Sequence, residues 1–205
     1  MKKGTKLNNA GFSLIELIVA ILIMAIIGGA TIGAFNAVLS TKTNAAAKTV
    51  QDSLKQTRVA ALGRENADVP ESGASSVDYT SAAGFKTNIY AKFYIENGTI
   101  YVDVCSDKGT SEVVLNTSAI GSDNYSVTFC NDTGGTIAKL DAAASDMKVY
   151  IYFRKSTGGV SRLYYTRPGT SGKTNGCEMI KVTSPSGEVV DIILVPITGR
   201  SYIDN

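Results

Sequence analysis

Apolar residues follow three different patterns along this chain. From Leu17 to Phe35 the sequence reads LIVAILIMAIIGGATIGAF, and extending back to Leu14 gives 22 residues broken only by Glu16. At ~1.5 Å per helical residue such a run covers about 33 Å, enough for the ~30 Å hydrocarbon core of a bilayer. From Asn44 to Leu62 the pattern turns amphipathic: Ala47, Val50, Leu54, Thr57 and Ala61 recur at three- and four-residue spacing, with Lys48, Asp52, Lys55 and Arg58 on other faces. Neither Pro nor Gly interrupts this stretch, Lys48 and Asp52 are spaced as an i,i+4 pair, and Gly63 offers a C-cap. The two patterns together predict one helix from Phe12 to Leu62, about 76 Å long, whose apolar half projects from the rest.

After Arg64 the pattern changes again. Residues Glu65 to Gly84, with Pro70, read as a loop. Ile89–Ile95 and Ile100–Val104 then flank Asn97-Gly98, a strong hairpin signal. Glu112–Asn116 and Tyr125–Cys130 read as short strands. Met147–Phe153 and Val160–Thr166 flank a turn at Ser156–Gly159, and Cys177–Thr183 and Glu188–Val195 flank Pro185-Ser186-Gly187. Eight strands after one long helix predict an α+β fold: a long N-terminal helix, membrane-spanning in its first half, packed on an antiparallel β-sheet head.

Charge orients the apolar run. Lys2, Lys3 and Lys6 precede it, so the N-terminus is expected in the cytoplasm and the head outside, in a single-pass arrangement. A cleaved secretory signal is the rival reading. Its apolar region would be shorter, and the nearest small-residue cluster, Ala45-Ala46-Ala47, lies ten residues beyond Phe35. Gly29 and Gly33 have the GxxxG spacing that allows close helix approach, but glycine is common in membrane helices.

Composition mostly excludes. The formal net charge is +2, and without the basic N-terminal segment the remainder is near neutral, unlike a generally cationic nucleic-acid binder. Histidine is absent, which removes Ser-His and Cys-His dyads and His-ligated zinc. No base stands beside a nucleophile in a recognisable motif, so no enzyme, cofactor or metal is expected. Cys105, Cys130 and Cys177 lack CxxC spacing; one disulfide plus one thiol and three free thiols both remain open, and spacing does not choose a pair.

The first 35 residues resemble a class III prepilin signal, in which a short basic leader ends in Gly and is followed by Phe and, five places after the cut, Glu. Gly11, Phe12 and Glu16 match those positions. The resemblance implies the pilin fold, cleavage after Gly11 by a prepilin peptidase and N-methylation of Phe12. It divides the chain into a leader (1–11), a transmembrane and filament-core helix (12–35), an amphipathic continuation (36–63) and an extracytoplasmic head (64–205). Its implied partners are the peptidase/methyltransferase, other pilin or pseudopilin subunits, an assembly-platform membrane protein and membrane lipid. Leu54–Leu62, Tyr165–Gly169 and Ile197–Arg200 are similar to the GspH/FimT group of pseudopilins and minor pilins. The chain is thus expected to start in the cytoplasmic membrane and end in a type IV pilus or a type II secretion pseudopilus.

On that reading Glu16 has a task. A lone carboxylate at the centre of a membrane helix costs about 2.5–3.5 kcal/mol on insertion scales. Cleavage would leave a charged amine on Phe12, able to pair with Glu16 of a neighbouring subunit and fix one register. The simpler account places Glu16 at the headgroup interface, where the helix N-terminus favours its charge by ~0.3–1 kcal/mol.

Charge is uneven further on. Residues 96–146 carry a net −6, and residues 150–182 a net +5 from Arg154, Lys155, Arg162, Arg167, Lys173 and Lys181 against Glu178. Tyr150, Tyr152, Tyr164 and Tyr165 lie among those cations, so a minor pilin gripping DNA through Arg154, Lys155, Arg162 and Arg167 is an alternative function. Complementation of acidic and basic strands within the fold or between subunits is the reading favoured over it. The acidic stretches Asp103–Asp107 and Asp123–Asp132 lack EF-hand spacing and read as solvated loops.

Overall fold

The computed structural model describes residues 13–63, 89–108 and 111–204, and leaves the side chains of 29–37 and 108 outside the description. The leader, Gly11-Phe12 and the 65–84 loop lie outside the described residues. The chain divides into two units, with the boundary between Ser40 and Thr41.

One helix, α1, runs from Leu14 to Leu62 and passes unbroken through Gly28, Gly29 and Gly33. Its described large apolar side chains from Leu14 to Ile27 are all exposed. Among the described residues, no helix is long and apolar enough to cross a membrane. The described part of the apolar run ends at Gly28, which gives it about 22 Å of helix against a ~30 Å hydrocarbon core.

In the second unit the expected stripe is the buried face: Ala47, Val50, Leu54, Thr57 and Ala61 are fully buried. Thr43, Ala46 and Ser53 widen it. Thr57 tolerates burial because its Oγ1 donates to Ser53 O, 2.7 Å away. Asp52 pairs with Lys55 at 3.6 Å, and not with Lys48 as the spacing suggested.

The head departs from the expected single sheet. It has eleven strands among the described residues, all paired antiparallel, in two sheets. The first sheet contains β1 (Ile89–Glu96), β2 (Thr99–Lys108), β3 (Ser111–Ser122), β6 (Lys148–Phe153), β7 (Val160–Arg167) and β8 (Thr170–Thr174), in the order β3-β2-β1-β6-β7-β8. The second contains β4 (Ser126–Cys130), β5 (Thr136–Leu140), β9 (Met179–Thr183), β10 (Val189–Leu194) and β11 (Ser201–Asp204), in the order β11-β10-β9-β4-β5. The three hairpins lie where the turn residues placed them. Asn97 (φ 49) and Gly98 (φ 72) form the β1–β2 turn, with Glu96 opposite Thr99. β5, β8 and β11 were not anticipated, and Asp103–Asp107 is strand instead of loop.

Alternation along each strand builds the core. Ile89, Ala91 and Phe93 face inward from β1, Val149 and Ile151 from β6, and Phe129 and Ile180 from the second sheet, in one cluster with the α1 stripe. Phe93 and Phe129 join the sheets edge to face at 5.1 Å. A second junction is polar. Val160 N donates to Pro196 O (2.7 Å), and Arg58 Nε of α1 donates to Thr198 O (2.6 Å). Gly159 fits there because a Cβ would stand 2.3 Å from Ile197 O.

Candidate functional site

Glu16 lies in the first turn of α1. Ser13 directly precedes the helix, and its carbonyl accepts the first intrahelical bond from Leu17 N (3.2 Å). Its Oγ accepts from Glu16 N (3.3 Å), while Glu16 Oε2 accepts from Ser13 N (3.1 Å). This reciprocal pair is a capping box, which satisfies two backbone donors that a helix start otherwise leaves unpaired. The Ser-x-x-Glu spacing at Ser13 and Glu16 is the sequence signature of this motif. A carboxylate at this point also lies at the favourable end of the helix dipole.

The basic residues singled out in the head are spread over β7 and the β6–β7 turn. Arg162 lies on β7 with its guanidinium 6.0 Å from the Tyr152 ring centroid. Arg167, at the end of β7, is engaged by Asp146 (3.0 Å) and Ala143 O (3.2 Å). Arg154 and Lys155 sit in the β6–β7 turn, whose backbone closes through Gly158 N to Arg154 O at 2.8 Å.

Strand register instead gathers tyrosines on the outer face of the first sheet. Tyr90 stands opposite Tyr152, Tyr94 opposite Tyr101, and Tyr150 opposite Tyr164. Ring centroids are 5.0 Å apart for Tyr90–Tyr152, 5.6 Å for Tyr94–Tyr101 and 5.8 Å for both Tyr90–Tyr150 and Tyr150–Tyr164. Glu112 of β3 reaches back across this face to accept from Tyr90 Oη (2.8 Å) and Lys92 Nζ (2.5 Å). Burial alone would raise the Glu112 carboxyl, but Lys92 and Tyr90 outweigh it and hold the group below its ordinary value. The face mixes both signs of charge. The i,i+2 tyrosines of β6 were noticed in the sequence; Tyr90, Tyr94 and Tyr101 were not, because only register brings them alongside.

The three cysteines are free and buried. Cys105 lies opposite Tyr90 in the first sheet, while Cys130 ends β4 and Cys177 precedes β9 in the second. Burial pushes the Cys105 and Cys177 thiols up to about 12 and raises that of Cys130 as well. Among the described residues, no group of three or more His, Cys, Asp or Glu could hold a metal ion.

Residues 6–32 match the family model described as the prokaryotic N-terminal methylation motif. No curated protein and no solved structure matches the chain. The match ends before the head begins, so the GspH/FimT likeness gains nothing from it. The motif is in general that of pilin-type structural precursors. The N-terminal segment of this chain thus carries the methylation motif of a type IV prepilin-like class III signal.

Proposed function

We propose that this chain is a filament subunit, cleaved after Gly11, methylated at Phe12 and assembled through α1 into a type IV pilus or a type II secretion pseudopilus. The observation that carries the reading is the methylation-motif match over residues 6–32, with Glu16 in the first turn of a helix whose large apolar side chains from Leu14 to Ile27 are uncovered. An exposed apolar surface of this kind needs lipid or other helices around it. Residues 12–35 are the proposed membrane span before assembly and the filament core afterwards, handed over by an assembly-platform protein. The head lies outside the cytoplasm, and its subgroup is GspH/FimT-like. N-terminal mass spectrometry of the mature chain tests the processing: methylated Phe12 is expected as residue one, and retention of residues 1–11 in the filament fraction refutes it.

A DNA-binding minor pilin is the second reading, favoured by Tyr150, Tyr152, Tyr164 and Arg162 sharing one sheet face. Engagement of Arg167 by Asp146 counts against it. Binding of the detergent-solubilised chain to DNA at physiological salt, lost in Arg162 and Arg154 variants, is its test.

A further inference from the structure

The sequence left three cysteines with no basis for pairing them, and the fold separates one from the other two. Cys105 belongs to the first sheet and lies opposite Tyr90. Cys130 ends β4 of the second sheet, and Cys177 lies just ahead of β9, the strand that pairs with β4. β4 and β9 pair with Cys130 opposite Met179, and Cys177 lies two residues before Met179. A regular diagonal of this kind leaves α-carbons ~7–8 Å apart, slightly too far for a disulfide, which needs roughly 4.4–6.8 Å. Past the Cys130–Met179 pair, Glu178 N donates to Cys130 O at 3.1 Å, drawing the chain ahead of β9 toward β4. The Cys177 thiol lies 3.6 Å from the carbonyl oxygen of Met179, the residue opposite Cys130.

We propose that Cys130 and Cys177 form a disulfide in the exported protein and that Cys105 stays a thiol. The inference rests on the proposed extracytoplasmic head, since disulfides persist in oxidising compartments. The reaction needs a disulfide oxidant, for which glutathione disulfide serves as the probe. One cysteine thiolate attacks it and releases one glutathione. The second thiolate attacks the mixed disulfide and releases another. Two protons leave the protein, and its two electrons reduce the oxidant. Both thiols are buried once the head has closed, so the bond forms during folding, before thiolate and oxidant are kept apart.

The link would do more than join neighbouring strands. Between Cys130 and Cys177 the chain builds β5, crosses to the first sheet to supply β6, β7 and β8, and returns. A bond at the base of that excursion holds its two ends together and restricts the opening of both sheets.

The full chain, purified in detergent under reducing conditions, is unfolded in urea and refolded in a buffer of reduced and oxidised glutathione. Remaining thiols are alkylated and the digest is read by mass spectrometry. A linked Cys130–Cys177 peptide, lighter by two hydrogens than its reduced pair, and an alkylated Cys105 are expected. Cys105→Ser keeps the link; Cys130→Ser and Cys177→Ser abolish it. Alkylation of all three cysteines, or any link through Cys105, overturns the proposal, and both readings come from the unsubstituted chain even if a variant misfolds. The same mapping on whole cells separates the two claims: a bond that forms in the buffer but is absent from cells supports the pairing and refutes the export of the head.

Discussion

Replacing Glu16 separates two jobs that one carboxylate could do. Its Oε2 accepts from Ser13 N, which is local capping, while the proposed filament contact uses its charge. Glu16→Gln retains an acceptor of similar reach at the capping-box position and removes the charge. Glu16→Ala removes both. Ser13→Ala removes the other half of the box, the acceptor for Glu16 N, and leaves the charge. Losing a cap costs about 1 kcal/mol, roughly a fivefold change in an equilibrium. Losing the favourable interaction of charge and dipole costs a further ~0.3–1 kcal/mol. Removing one member of an ion pair shielded from water costs about 3–5 kcal/mol, more than a hundredfold. If the charge pairs with a neighbour's amino terminus, Glu16→Gln and Glu16→Ala both fall by two orders of magnitude or more in the sheared filament fraction, while Ser13→Ala stays within several-fold of the parent. The assay is quantitative immunoblotting of filament and membrane fractions, with leader removal checked by N-terminal mass spectrometry so that processing and assembly are scored separately. Glu16→Gln assembling at the parent level refutes the pairing and leaves Glu16 as a capping residue.

Three further outcomes concern the head. Leu54 is fully buried, so Leu54→Ala should cost about 2–5 kcal/mol, read as a lowered urea midpoint by tyrosine fluorescence, since the chain has no tryptophan. Gly159→Ala places a Cβ against Ile197 O and Pro196 O and should cost about 1–3 kcal/mol in the same assay, through backbone displacement and not through any lost contact. Glu112 is held below its ordinary value of 4.5, so its contribution to stability is complete above that pH and disappears as pH falls through the lower folded value. Glu112→Gln should therefore flatten the loss of stability on the acid side of pH 4.5, and an unchanged acid limb would contradict the assignment.

The parts of this fold that were legible in the sequence are those with local signals. The α1 stripe, the Asn97-Gly98 turn and the two later hairpins each combine periodicity with a turn residue, and all are present. β8 was missed because Thr170–Thr174 has no apolar alternation, and β11 because it is four residues long and half exposed. The division into two sheets was not legible, since it depends on which distant strands meet: β1 pairs with β6, and β4 with β9. The same non-locality hid the tyrosine face and the proximity of Cys130 to Cys177. Gly11 and Phe12 form the opposite case, readable only from the sequence and its family match.

The interleaving of the two sheets has a temporal consequence. β1 cannot gain its second neighbour until β6 is available, and β4 waits for β9, near the end of the chain. Neither sheet can be completed from the earlier part of the head alone. A head with such distant pairings folds slowly and only after nearly all of it has been delivered. On the proposed topology the helix holds the waiting head at the membrane surface, where chaperones and oxidants can reach it. A chain truncated before β9 would therefore be recognisable to quality control as unfinished, because it lacks the strand that lets the second sheet close.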